Sequence, residues 1–301
     1  MRRCNVVAGP LSTPMTAKFH HRVFHCLLVL AALMLGGCGA SDGQRRGPLP
    51  PPISATSPLT VMSFDIRLGL GRADPYKDIM RMNGQWGRNL RAVIDAIRSA
   101  DPDIVGLQEV AGPDQLREIA EALNMKQAYV AHDENANRGV GILSKYPIVS
   151  SRGAALSANR NFIMATIDVG TKKILVANIL RWHLEFTEES MPFLLAELAK
   201  SNLPTVLVGD FNMTPDAQML HKRGTKRLHG VLERFLDTAA EANSRSAETA
   251  RQVGTWHGGG RTDYVFAEKG RFGVVDAGIV AQQYRDASNH IAYFAKLKFQ
   301  E

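Results

Sequence analysis

A chain of 301 residues has room for one large domain or two small ones. Its 45% apolar and 22% charged residues are ordinary for a globular protein and exclude a wholly disordered chain. Lys and Arg outnumber Asp and Glu by 36 to 29, a net +7, but four of those basic residues sit in a segment of different character, so the charge argues little for a nucleic-acid partner.

That segment is the first one. Arg2, Arg3, Lys18 and Arg22 precede the apolar run Cys26 to Leu35, which is far short of the ~20 residues a membrane span needs. Small residues follow, the pattern of a secretory signal. Leu35-Gly36-Gly37-Cys38 resembles a bacterial lipoprotein cleavage box, which implies a signal peptide over 1–38 with a lipidated Cys38. Loss of the four basic residues leaves 32 against 29 acidic ones, a net +3. Cys4 and Cys26 leave with the signal, so the mature domain has no thiol and needs no disulfide. Gly39 rather than Asp follows Cys38, and the resemblance then implies an outer-membrane lipoprotein facing the periplasm, held to the membrane through its lipid anchor. Residues 39–58, rich in Gly, Pro, Ser and Ala, read as a flexible tether. Residues 59–301 then form one α/β domain without internal repeats.

Val61 to Arg67 opens that domain as a strand. Met62, Phe64 and Ile66 share one face, and Asp65 projects from the other at the far end. Trp86, Leu90, Val93, Ile94 and Ile97 recur at helical spacing, with Arg88, Arg91, Asp95 and Arg98 outward. Ile104 to Glu109 is a second buried strand. A carboxylate at its end faces solvent, pairs with a cation or binds a metal, because an unpaired one would be costly. A helix through Leu116, Ile119 and Leu123 follows, then a strand from Gly139, with His132, Asn135 and Asn137 in the loop before it. Phe162–Val169 and Lys173–Ile179 read as a hairpin around Gly170. Asn178-Ile179-Leu180-Arg181 ends its second strand, with His183 close behind.

Thr205 to Val208 is a short β-branched, apolar strand that ends in Gly209-Asp210-Phe211-Asn212. Side chains two apart on extended chain share a face, so Asp210 and Asn212 address one object. Gln218 to Asn243 reads as helical and carries the basic runs His221-Lys222-Arg223 and Lys226-Arg227. Arg261 to Phe266 is a strand with Asp263 near its start, and Ser288-Asn289-His290 opens a last strand ending near Phe299.

Gly209 to Asn212, taken with Asp103 to Glu109 and the Asp263 and His290 segments, resembles the endonuclease/exonuclease/phosphatase superfamily. The resemblance implies a four-layer α/β sandwich: two packed mixed β-sheets flanked by helices. It also implies divalent-metal-dependent hydrolysis of a phosphoester by a monomer, with a phosphodiester in nucleic acid or phospholipid as the substrate. Hard carboxylate and carbonyl oxygens suit Mg²⁺ or Mn²⁺, and the absence of a Cys/His cluster argues against zinc. Glu109 would hold the metal with Asp65 or Asn289. Asp210 and Asn212 would place the attacking water, and Asp263 would orient His290 towards the phosphate. Three positions depart from the family pattern. Asp65 stands where Asn is usual, and Asn289 stands where Asp is usual. Leu180 replaces the His of Asn-x-His-Leu, which leaves His183 or Arg181, beside Asn178, to contact the phosphate. The competing reading is a noncatalytic lipoprotein that keeps the fold as a binding surface.

Overall fold

The computed structural model describes residues 51–52, 57–72, 89–132, 138–157, 160–181, 190–215 and 224–300. Cys38, His183, Asn135, Asn137, Trp86 and the run 221–223 lie outside them. Among the described residues no helix is long and apolar enough to cross a membrane.

Twelve strands form two six-stranded mixed sheets. The first is built from β1 (Leu59–Asp65), β2 (Ile104–Val110), β3 (Lys126–Ala131), β4 (Gly139–Ser144), β11 (Phe272–Ile279) and β12 (Tyr293–Phe299), in the order β11-β12-β1-β2-β4-β3. The second holds β5 (Ile148–Ser157), β6 (Arg160–Asp168), β7 (Lys173–Leu180), β8 (Thr205–Asp210), β9 (Phe235–Asp237) and β10 (Asp263–Glu268), in the order β5-β6-β7-β8-β10-β9. Each sheet has one parallel pair at its middle, β1 with β2 and β7 with β8, and every other pairing is antiparallel. The parallel strands are buried on both faces and read as near-continuous apolar runs, as such strands must when they are covered on both sides. This is why Ser63 and Asp65, on the face of β1 opposite Met62 and Phe64, are buried as deeply as the apolar residues.

Helices supply the outer layers. In α1 (Leu90–Ala100), Leu90, Val93, Ile94 and Ile97 are buried, while Asp95 pairs with Arg91 at 3.0 Å and Arg98 at 2.9 Å on the solvated face. The helix ends where Asp101 turns left-handed. α2 (Pro113–Leu123) and α3 (Ser190–Ala199) likewise precede β3 and β8. The helical reading of Gln218 to Asn243 holds for α4 (Gly224–Arg234) and α5 (Thr238–Glu241), but Phe235–Asp237 between them is strand β9, which gains ladder partners in β10. α6 (Arg245–Val253) begins at Ser244, whose hydroxyl accepts from Ala247 N at 3.1 Å.

The sheets meet over a partly polar seam. Asn178 donates from Nδ2 to Leu107 O (2.9 Å) and Gly141 O (2.8 Å) and accepts at Oδ1 from Gln108 Nε2 (2.6 Å), tying β7 to β2 and β4. Gly106 is the contact point, since a Cβ there would lie 2.3 Å from Val208 Cγ2 and 3.0 Å from Asn178 Cγ. Gly106→Ala is therefore expected to destabilise the fold by about 1–3 kcal/mol, read as a lower denaturation midpoint with an unchanged slope. A midpoint equal to that of the parent would show that the sheets are less closely apposed.

The chain enters the sandwich at the end of β1 away from Asp65. There Thr60 N donates to Asp103 Oδ2 at 2.8 Å and Tyr146 OH donates to Pro51 O at 3.1 Å.

Candidate active site

Four strands of the two parallel pairs point their carboxyl ends to one pole, and three of them deliver acids: Asp65 from β1, Glu109 from β2 and Asp210 from β8. Leu180 ends the fourth, buried opposite Asp210 in the β7–β8 register. At this pole the backbone is strained. Arg67, Leu68, Glu109 and Asn212 all have positive φ, between 46° and 60°. The other two non-glycine cases, Asp101 and Asn124, are ordinary left-handed caps of α1 and α2. A left-handed residue with a side chain costs about 1–2 kcal/mol, so four at one pole are held there by their surroundings.

For Glu109 the strain has an evident use. Gln108 stands beside Asp65 in the parallel register and faces the seam, donating to Ser63 Oγ at 3.3 Å and to Asn178. Strict alternation would send Glu109 to the opposite face, beneath the helices. Its φ of 50° and the register shift between Leu107 and Val110 break that alternation. Its carboxylate is the charge that acts most strongly on Asp65.

Asp210 is held from two residues ahead. Asn212 donates its backbone N–H to Asp210 Oδ1 at 2.8 Å and its side-chain amide to Asp210 Oδ2. β10 runs antiparallel beside β8 with Asp263 opposite Asp210. Asp263 Oδ2 lies 2.9 Å from His290 Nδ1 and accepts from Thr262 Oγ1 at 3.1 Å. Ligand atoms of Asp65, Asp210 and His290 all lie within 4.8 Å of one another, and all three residues are buried.

Electrostatics follows from burying so many acids together. Burial, then the charge of Glu109, raises the Asp65 carboxyl well above its usual range. Burial raises Asp210 to about 8, with Asp263 adding to the rise and His290 opposing it. Burial alone would strip the proton from His290, but the Asp263, Asp65 and Asp210 carboxylates outweigh it and hold the imidazole well above its ordinary pKa. Carboxyls that cling to protons in this way provide a place where a hard cation would relieve like-charge repulsion.

Two residues expected at the substrate make bonds within the fold. Asn178 is fully buried, with its amide engaged across the sheet seam. Arg181 is 3% exposed and donates from Nη1 to Phe211 O at 2.9 Å. Among the acids and histidines, the tight group contains the expected ligand Asp65 but not Glu109. Asn289 is half-buried next to His290, and its Oδ1 accepts from Ser288 Oγ at 3.2 Å. His132 is buried at the end of β3 and meets Asn161 N through Nδ1 at 3.4 Å.

The structure adds Thr255 and Trp256. Thr255 Oγ1 accepts from the backbone N–H groups of both Thr262 and Asp263 at 2.9 Å, and its carbonyl accepts from Ile291 N at 2.6 Å. It thereby ties the Asp263 strand to the His290 segment. Trp256 forms an antiparallel bridge with His290, flanked by that bond and by His257 N to Asn289 O at 3.1 Å. This is the narrow kind of pair, in which side chains emerge close together on one face, and Trp256 is 38% exposed. The only sequence signal for either residue is their place just before the turn His257 to Gly260.

Residues 80–288, more than half of the chain, match the Endonuclease/Exonuclease/phosphatase family, and the chain belongs to that family. Among solved structures, it is similar to an endonuclease/exonuclease/phosphatase family protein from Bacteroides thetaiotaomicron (20% identity, TM-score 0.62, covering 81% of this chain and 99% of that one). A mannosyl-6-phosphatase from the same organism matches at 22% identity and TM-score 0.61, over 80% of this chain and 100% of that one. The human Nocturnin catalytic domain with bound sulfate matches at 18% and 0.62, over 81% and 94%. At these identities the likeness is one of fold. No curated protein matches the chain by sequence.

Proposed function

We propose that the protein is a divalent-metal-dependent phosphoesterase, acting first of all on phosphodiesters. The observation that carries this reading is the buried group Asp65, Asp210 and His290, with Glu109 beside it and Asp263 behind it. The Asp263, Asp65 and Asp210 carboxylates favour the charged form of His290, which is bonded to Asp263, and an imidazolium cannot ligate a metal. The cation therefore falls to Glu109 and Asp65, the two carboxylates that press on each other, with Asn289 as a third oxygen. Mg²⁺ or Mn²⁺ there would supply the positive charge that lets an anionic phosphate accept a nucleophile. Asp210, fixed by Asn212, would orient the attacking water and, in its ionised form, take up the water's proton. His290 donates towards the oxygen on which negative charge grows, and Asp263 keeps the ring turned that way.

The decisive experiment offers bis-p-nitrophenyl phosphate, supercoiled DNA and sphingomyelin to the purified protein with Mg²⁺ or Mn²⁺. Hydrolysis of at least one, abolished by EDTA, is expected. Failure on all three with either metal would overturn the reading in favour of a binding protein.

A further inference from the structure

Arg181 stands immediately after Leu180 at the one acid-free end of the four parallel strands. Three bonds connect it to the Asp210–Asn212 turn. Its N–H donates to Asp210 O at 2.8 Å. Its carbonyl accepts from Asn212 Nδ2 at 2.6 Å. Its guanidinium reaches back to Phe211 O at 2.9 Å. One residue thus holds the carbonyls of the first two turn residues and the side chain of the third. That third residue, Asn212, is left-handed with φ 48°. Asn tolerates the left-handed region but also populates extended backbone, so the bonds around it decide between the two. A move to the extended form would carry away the N–H and the amide that aim the Asp210 carboxylate.

We infer that Arg181 is a positioning residue that locks the Asp210–Asn212 turn and does not touch the substrate. This inference rests on the phosphoesterase reading above for its kinetic consequence, but not for its structural one. The Arg181 guanidinium is turned inward to Phe211 O. The charges that move the Asp210 carboxyl most are those of His290, Asp263 and Glu109, so the lock is mechanical rather than electrostatic.

The test compares the full chain with Arg181→Met and Arg181→Lys. Met keeps length and loses every donor; Lys keeps one donor for Phe211 O. With bis-p-nitrophenyl phosphate, Arg181→Met is expected to lower kcat roughly 10- to 100-fold, the scale set by a misplacement of about 1 Å, with KM within about threefold of the parent. Arg181→Lys should recover most of kcat. Hydrogen exchange of the Asn212 and Phe211 amides should quicken in Arg181→Met and much less in Arg181→Lys. A rise in KM at unchanged kcat would make Arg181 a substrate contact and overturn the inference. Unchanged exchange at Asn212 would overturn it too, whatever the kinetics. If the parent hydrolyses nothing, the phosphoesterase reading fails while the exchange measurement still decides for or against the lock. If Arg181→Met does not fold, Arg181→Lys carries the test: a modest loss of kcat with KM kept and faster exchange supports the lock, and parental kcat, KM and exchange overturn it.

Discussion

Asp210→Asn is expected to cut phosphoester hydrolysis by ~100-fold or more and, in EDTA, to make the protein harder to melt. Both effects have one origin. The Asp210 carboxyl is fully buried, and its pKa stands near 8 against an ordinary 3.8. A carboxyl raised in this way costs the folded state nothing below its unfolded pKa. The cost then grows as pH climbs towards 8, because only the unfolded chain ionises it freely. Asn removes that cost and forfeits about 1 kcal/mol for the amide–amide contact it creates with Asn212. A net gain on the order of 1–2 kcal/mol, roughly 3–8 °C in Tm, is expected at pH 8 and none at pH 4. Bound Mn²⁺ should narrow the gap, since a cation that binds only the folded parent stabilises it in turn. Melting curves at pH 4, 6 and 8 in EDTA and in Mn²⁺ check this. A destabilised variant at pH 8 would mean that Asp210 is a structural acid and not a strained functional one.

Asp263→Asn should act through His290. The Asp263 carboxylate sits 2.9 Å from Nδ1 and is the strongest of the charges that keep the imidazole protonated against burial. Without that charge His290 loses its proton at lower pH, so the alkaline fall in activity moves to lower pH. Near neutrality, hydrolysis drops on the order of 100-fold or more, because the ring is also free to turn. The same substitution removes stability that the parent enjoys below its raised imidazole pKa, so the variant should melt earlier at pH 6 than at pH 9, relative to the parent. A pH–rate profile and a histidine NMR titration read the shift. An alkaline limb that stays in place would take His290 out of the proton balance.

The central strands are legible because each is a short apolar run closed by a polar residue, whereas their arrangement in two packed sheets follows only from the resemblance to the family. Val61 to Asp65, Ile104 to Glu109 and Thr205 to Asp210 are all found as strands: β1 and β8 end on Asp65 and Asp210, and β2 carries Glu109 one residue before its end at Val110. What sequence does not show is where a side chain points once the backbone leaves the regular pattern. Glu109 reaches the Asp65 side only through a left-handed turn. Asn178 and Arg181 look available as polar residues at a strand end, yet tertiary partners on β2, β4 and the Asp210–Asn212 turn claim both. Strand β9 escapes notice because three residues carry no periodicity, and only its neighbour β10 makes it a strand.

The way β1 enters the sandwich has a practical bearing. Five rises of about 3.3 Å along β1 put roughly 17 Å of protein between the Thr60–Asp103 contact and Asp65. The contact of Pro51 with Tyr146 lies at that far pole as well. A probe attached at Pro51 would therefore sit at the pole opposite the acids, clear of large molecules that approach them.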